Sequence, residues 1–259
     1  MSRSPFHLVE VSPWPIMAAF SAFLMTSGTT IWLHSSSKLI FSSGLLLMIL
    51  CAAQWWRDVT REASFAGFHT NLVSKGMRMG MILFILSEIM FFMSFFWAFF
   101  HSSLVPNNEI GCIWPPMGIN IINPFGVPLL NTAVLLASGA TISWSHHNFR
   151  INNKNNASLA LMMTIMLGVF FTYLQATEYM STSFSISDSV YGTTFFITTG
   201  FHGTHVIIGS MILMVMFYRN LNEHFSSTHH VGFEVSAWYW HFVDVVWICL
   251  YLSMYWWGS

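Results

Sequence analysis

A single acid stands inside the most apolar stretch of this sequence. Residues 79–101 read MGMILFILSEIMFFMSFFWAFFH, and Glu88 is the only Asp, Glu, Lys or Arg among them. As a helix, residues 79–100 would rise about 33 Å, enough to cross a hydrocarbon core of about 30 Å, with Glu88 near the middle. A carboxylate at that depth is costly and usually faces other helices or a wet path. The stretch therefore predicts a membrane helix whose acid either is neutral and hydrogen-bonded to a neighbouring helix or handles protons.

Aromatic side chains surround this acid at helical spacing. Phe84, Phe91, Phe92 and Phe95 fall on the same helical face as Glu88. Such a surround removes water from the carboxyl, and a neutral, reactive carboxyl is the expected consequence. We expect an apolar carbodiimide to modify Glu88 preferentially.

Histidines and further acids recur in other apolar stretches. His202 and His205 are three residues apart, and His241 and Asp244 have the same spacing. Together with Glu88 and Glu178 they could form a carboxylate–histidine metal site within a bundle, but neither pair has the Glu-x-x-His order of such sites. Hydrogen bonding between helices is the favoured interpretation, and no metal site is predicted.

Redox centres are also not predicted for this chain. No two histidines are 13 or 14 positions apart, as a haem held by histidine pairs on bundle helices would need, and no two cysteines are close enough in sequence for a dinuclear copper site. An electron-carrying role for this chain alone is therefore not expected.

The composition indicates a membrane protein made of helices. The sequence is 54% hydrophobic and 7% charged, whereas ordinary soluble domains are about 25% charged. A net charge of −1 argues against nucleic acid as a partner. The apolar runs are continuous rather than alternating, which favours helices over a β-barrel. We predict an all-α, polytopic membrane protein whose residues 1–259 form a single transmembrane domain.

Seven spans can be placed along the chain. They are residues 14–34, 39–56, 79–100, 127–147, 158–179, 190–218 and 233–257. If all seven spans cross the membrane, eight of the nine Lys and Arg residues lie on the same membrane side as the N-terminus, and Lys38 alone lies on the other side. The positive-inside rule then places the N-terminus in the matrix or cytoplasm and the C-terminus opposite.

Gly76 and Gly80, four residues apart, mark a place where helices can approach closely.

The polar segment 57–78 between the second and third spans carries bases next to tryptophans. Trp56 lies at the interface, followed by Arg61, Glu62 and His69. Bases at headgroup level can hold the phosphate of an anionic phospholipid, whose acyl chains then run along apolar helices. Arg219 and His224 lie on the same membrane side and could close such a cradle. The alternative is that these charges only set the topology.

Several ordered segments resemble the family of cytochrome c oxidase subunit III, and most closely its animal mitochondrial form. They are SPWP at 12–15, QWWRD at 54–58, Ser87-Glu88 with FFWA at 95–98, GFHGTHV at 200–206, AWYWHFVDVVW at 237–247 and YWWGS at 255–259. The resemblance therefore covers essentially the whole chain.

The resemblance implies seven transmembrane helices, with helices 1–2 splayed from helices 3–7 by a lipid-filled cleft. It implies a core subunit of a proton-pumping terminal oxidase in the inner mitochondrial membrane, bound to catalytic subunit I. Haem and copper would lie in partner subunits and only phospholipids in this one. This subunit would support proton uptake and stability during turnover.

The resemblance also implies roles for individual residues. Glu88 matches the family's carbodiimide-reactive acid. The positions that match lipid-lining residues of the family are Trp56, Arg61, Glu62, His69, Arg219, His224 and Phe225. This chain departs from the vertebrate pattern near Arg219, because Asn222 and Glu223 stand where that pattern carries a further Lys. The departure weakens the positive side of one headgroup pocket.

Two other functions are compatible with the residues alone. One is a stand-alone proton channel or transporter centred on Glu88, and the other is an intramembrane metalloenzyme. Neither Glu178, Asp244 nor the histidines form an obvious continuous path through the predicted bundle.

Overall fold

Seven helices make up most of the chain in the computed structural model, which describes residues 5–258. The first six are α1 Trp14–Ser35, α2 Leu39–Ser64, α3 Asn71–Leu104, α4 Val127–Arg150, α5 Lys154–Ser181 and α6 Ser189–Leu221. The seventh, α7, spans Val231–Leu250 and continues as a π-helical segment over Tyr251–Trp257. No strand occurs within residues 5–258, and all seven helices are long and apolar enough to cross a membrane. The predicted all-α fold with seven membrane helices is confirmed. Arg3, one of the eight Lys and Arg residues counted for the orientation, lies outside the described residues.

Two helices extend well beyond the apolar stretches that predicted them. Segment 57–78 was expected to be a polar connection, but α2 ends at Ser64 and α3 begins at Asn71, so only residues 65–70 connect them. Hydropathy locates the part of a helix inside hydrocarbon, whereas the backbone hydrogen bonds allow the helix to continue into water. Around the last turns of α2, Arg57 and Arg61 lie 3.2 and 3.9 Å from Asp58 Oδ1.

Contacts divide the chain into two compact units, Met1–Met77 and Arg78–Ser259. The single domain predicted from the sequence, and the lipid-filled cleft, stay predictions. In the first unit α1 and α2 form a tightly packed hairpin. A Cβ placed on Gly28 would lie 2.5 Å from Phe41 N, and one on Gly44 would lie 2.8 Å from Met25 N. Only glycine permits the two backbones to come this close.

The second unit is built around α7. The indole N–H of Trp240 donates to Ser138 Oγ on α4 at 2.9 Å, and the Trp240 ring fills the space left by the missing side chains of Gly168 on α5 and Gly209 on α6. A Cβ on either glycine would come within 3 Å of that ring. One buried tryptophan thus ties three helices to α7.

The close approach expected at Gly76 and Gly80 is not observed. No atom of residues 5–258 lies within 4 Å of a Cβ placed on either glycine, outside the local helix. The spacing of two glycines permits close packing but does not require it.

Candidate functional site

A cavity of about 610 Å³ lies in the first unit beside the C-terminal end of α2. Its walls are the residues that precede α1, the last turns of α2, the connection 65–70 and the first turns of α3. Of the predicted lipid-binding residues in this unit, Arg61, Glu62 and His69 line it. Trp56 does not, since it is 70% exposed and its neighbour Trp55 lines the cavity instead.

Two sets of polar contacts hold the walls of this cavity together. The indole N–H of Trp14 donates to Asp58 Oδ2 at 2.8 Å, and the Arg57 guanidinium donates to the other oxygen of the same carboxylate. One helical turn further along α2, His7 Nε2 lies 3.1 Å from Glu62 Oε2. These contacts join the start of α1 and the preceding segment to the end of α2.

The charge of the lining is mixed rather than basic. Arg61 is its only Lys or Arg among the described residues, and Glu10, Asp58 and Glu62 are its acids. Lys75, another base of the polar segment 57–78, is exposed and is not part of the lining. The cavity therefore offers a guanidinium for a phosphate group and carboxylates for any positively charged part of a headgroup.

The remaining predicted lipid-binding residues form a compact group in the second unit. The Arg219 guanidinium lies over the Phe225 ring, with Cζ 4.6 Å from the ring centroid. Phe225 is itself buried against Phe149. Arg219 Nε and His224 Nδ1 are buried and have no hydrogen-bond partner within residues 5–258. A guanidinium in this state is a suitable partner for an anionic oxygen.

The departure from the vertebrate pattern at Glu223 has a local counterpart in this group. Glu223 Oε1 lies 3.1 Å from Lys154 Nζ, and the Glu223 side chain is 74% exposed. The acid therefore pairs with a base at the start of α5. An exposed pair of this kind contributes little to stability.

The acid in the middle of α3 meets a histidine of α6. Glu88 Oε2 lies 2.9 Å from His205 Nε2, and the two side chains are 21% and 12% exposed. His205 Nδ1 lies 2.6 Å from the Phe201 carbonyl oxygen, which can only accept, so Nδ1 carries a proton and donates. The contact with Glu88 then needs one further proton, held by either Oε2 or Nε2. Glu88 is thus hydrogen-bonded to a neighbouring helix in an aromatic environment that includes Phe92.

Glu178 belongs to a separate, fully buried polar cluster. Its Oε1 accepts a hydrogen bond from the Tyr255 hydroxyl at 2.7 Å and lies 3.5 Å from Gln175 Nε2. The Gln175 carbonyl oxygen accepts from Asn131 Nδ2 at 3.2 Å. The cluster thus joins α4, α5 and the π-helical segment at the end of the chain.

The other predicted polar residues differ in their partners. His202 is 1% exposed, lies against the Trp247 ring, and neither ring nitrogen has a hydrogen-bond partner within the described residues. His241 Nε2 lies 3.3 Å from Ser143 Oγ on α4, and His241 Nδ1 is 3.9 Å from Asp244 Oδ2. Asp244 is buried. No group of three or more His, Cys, Asp or Glu side chains in residues 5–258 is placed to hold a metal ion.

Sequence reasoning missed several residues that build these sites. His7 and Trp14 contact residues more than 40 positions away in the sequence, and a local sequence pattern does not predict such contacts. Gln175 is three residues from Glu178 on one helical face, which is a usable signal for a polar pair. The tyrosine that completes that cluster lies 77 residues further along the chain.

Comparisons with known proteins agree along the full length of the chain. The family model described as cytochrome c oxidase subunit III matches residues 4–259. Cytochrome c oxidase subunit 3 of Lumbricus terrestris is 59% identical over 259 residues, covering all of both chains. The subunit 3 proteins of Rattus norvegicus and Equus caballus are 59% and 60% identical over 254 residues, covering 98% of this chain and 97% of each relative.

Proposed function

The chain belongs to the cytochrome c oxidase subunit III family, and from this premise we propose that it acts as a non-redox core subunit that holds phospholipid and packs on catalytic subunit I. As a family member it is a component of the respiratory oxidase complex, which is an enzyme of electron transfer. A stand-alone proton channel centred on Glu88 is not favoured, because the match to an oxidase subunit runs over the whole chain.

The cavity of the first unit is the observation that carries the lipid-binding part of the proposal. It places one guanidinium, three carboxylates and the indoles of Trp14 and Trp55 at the end of a membrane helix. Arg61 can reach a phosphate because its side chain is 60% exposed and, among residues 5–258, its one ion pair is a 3.9 Å contact with Asp58. We propose that a phospholipid headgroup occupies this cavity with its phosphate on Arg61. In the second unit, Arg219 and His224 would hold a phosphate, with the Phe225 ring packed against the Arg219 guanidinium.

A charge substitution tests this assignment. In the purified oxidase complex, Arg61→Gln should lower the amount of phospholipid that remains after detergent washing, because the phosphate loses its cationic partner. Lys75→Gln is the matched control, since it removes a base near the start of α3 that belongs to the same polar segment but does not line the cavity. Quantitative lipid extraction with mass spectrometry gives the measurement. Equal retention in both variants would refute the headgroup position.

Removal of the whole subunit tests the non-redox role. Complex from which this chain has been removed cleanly should keep its haem and copper content, because partner subunits are proposed to hold those groups. Its turnover should decline faster during catalysis, and its proton uptake should weaken. Haem and copper are measured by absorption spectroscopy and elemental analysis. Stoichiometric loss of haem with this chain would contradict the proposal.

The location follows from the same premise. The chain is a multi-pass membrane protein by its seven apolar helices, and its animal relatives are subunits of the mitochondrial oxidase. We propose the inner mitochondrial membrane, with the N-terminus in the matrix and the C-terminus in the intermembrane space, from the eight-to-one distribution of Lys and Arg.

A further inference from the structure

The segment that precedes α1 forms one wall of the cavity in the first unit. Residues 5–12, which we call the strap, contribute five lining residues, namely His7, Val9, Glu10, Val11 and Ser12. The opposite walls come from α2 and α3 and from the connection between them. Anything that entered this cavity would therefore lie between the strap and the helices.

Polar contacts attach the strap at its N-terminal end. The Pro5 carbonyl oxygen accepts a hydrogen bond from Thr70 Oγ1 at 2.8 Å. Two residues further on, His7 Nε2 lies 3.1 Å from Glu62 Oε2, and both side chains are about one-fifth exposed. The His7 ring also contacts the ring of His69, with centroids 5.8 Å apart in an edge-on arrangement.

Apolar burial does not hold the strap. Leu8, Val9 and Val11 are 75%, 70% and 107% exposed. Between His7 and the start of α1 at Trp14, the strap therefore has little buried surface to oppose its movement. A segment with few buried contacts opens at low free-energy cost, and its remaining anchors decide how often it does so.

We propose that His7 is a positioning residue that fastens the strap across the cavity and so slows the exchange of the phospholipid headgroup held there. The proposal rests on the proposed lipid-binding function and adds to it a residue and a step. His7 connects three parts of the wall, because it belongs to the strap and contacts both Glu62 of α2 and His69 of the connection. Glu62 would thus serve mainly to hold the strap, while Arg61 would face the phosphate.

Lipid exchange in the intact oxidase complex tests this role. The complex is reconstituted in vesicles of phosphatidylcholine and phosphatidylethanolamine that contain a phosphatidylethanolamine with a photoreactive headgroup. It is then transferred into an excess of unlabelled vesicles and illuminated at successive times. Peptide mass spectrometry follows the loss of cross-links to residues 5–12 and 61–69. In His7→Ala these cross-links should decay about fivefold faster than in the native chain, as expected from the loss of one hydrogen bond of ordinary strength.

A matched variant separates the loss of the His7 contact from a general loosening of the strap. Leu8→Ala lies in the same strap but does not line the cavity and is exposed, so its cross-links should decay at the native rate. Thr70→Val, which removes the other anchor, should accelerate the decay in the same direction as His7→Ala. Identical decay in the native chain and His7→Ala would overturn the strap while leaving the lipid site intact. If the native complex gives no cross-links in either segment, the lipid site and the strap are both wrong.

Discussion

At the scale of single residues, the acids Glu88, Glu178 and Asp244 inside the helices differ in how exposed their side chains are. The Glu88 side chain is 21% exposed and that of Asp244 is 8% exposed, and Glu178 is 3% exposed as a residue. Glu178 also has hydroxyl and amide donors on one oxygen, whereas within residues 5–258 the one polar partner of the Glu88 side chain is His205. The acids therefore share a chemical type but not an accessibility.

This difference predicts the site of carbodiimide modification. Dicyclohexylcarbodiimide added to the oxidase complex should modify Glu88 in preference to Glu178 and Asp244, because Glu88 is the most exposed of the three and shares a proton with His205. Modified peptides are identified by mass spectrometry, with Glu88→Gln as the control that should abolish the main adduct. Recovery of the label mainly on Glu178 or Asp244 would contradict the prediction.

At the scale of helices, hydropathy predicted the existence and order of all seven elements but not their full length. The start of α1 at Trp14 and that of α2 at Leu39 agree with the predicted spans. The end of α2 was placed eight residues too early, because Arg57 and the residues after it leave the hydrocarbon without leaving the helix. Hydropathy reports the solvent around a residue, whereas helix length also depends on backbone hydrogen bonds in water.

Side-chain contacts between helices were harder to predict than the helices themselves. Gly76 and Gly80 have the spacing of a packing motif but have no close neighbour in the part of the chain that the structure describes, while Gly168 and Gly209 share no motif and contact the same tryptophan ring. Likewise, the role of His7 depends on Glu62, which is 55 positions away in the sequence. A local sequence pattern indicates which interactions a side chain can make, but only the fold determines which partner it contacts.

The glycines of α5 and α6 give a paired test of this packing. Gly168→Ala should destabilise the complex by about 1–3 kcal/mol, because the new methyl group would lie 2.6 Å from the Trp240 ring and force the core to shift. Gly203→Ala is the matched control, since no atom of the described residues outside the local helix lies within 4 Å of its Cβ position and alanine is the better helix former. The measurement is the midpoint temperature at which this subunit is released when the purified complex is heated. A native midpoint for Gly168→Ala would show that the α5–α7 contact is less tight than described.

At the scale of the whole molecule, the asymmetry of charge is the feature that assigns direction. Of the nine Lys and Arg residues, Lys38 alone lies in a connection on the side opposite the N-terminus, in the short turn between α1 and α2. Apolar side chains cover much of the outer surface of the helices, as expected for contact with lipid or with other membrane subunits. We therefore expect the loops, rather than the helices, to set the orientation of the chain.

One cysteine makes this orientation measurable. Cys112 lies exposed in the connection between α3 and α4, whereas Cys51 is buried and Cys249 lies within α7. If the N-terminus faces the matrix, three spans bring Cys112 to the intermembrane space. A membrane-impermeant maleimide should therefore label Cys112 in mitoplasts, whose inner membrane keeps its native sidedness, and not in inverted inner-membrane vesicles. Cys112→Ser serves as the control that should remove the label from residues 105–126. The reverse pattern, with labelling only in inverted vesicles, would place the N-terminus outside the matrix and show that the distribution of Lys and Arg does not set the topology of this chain.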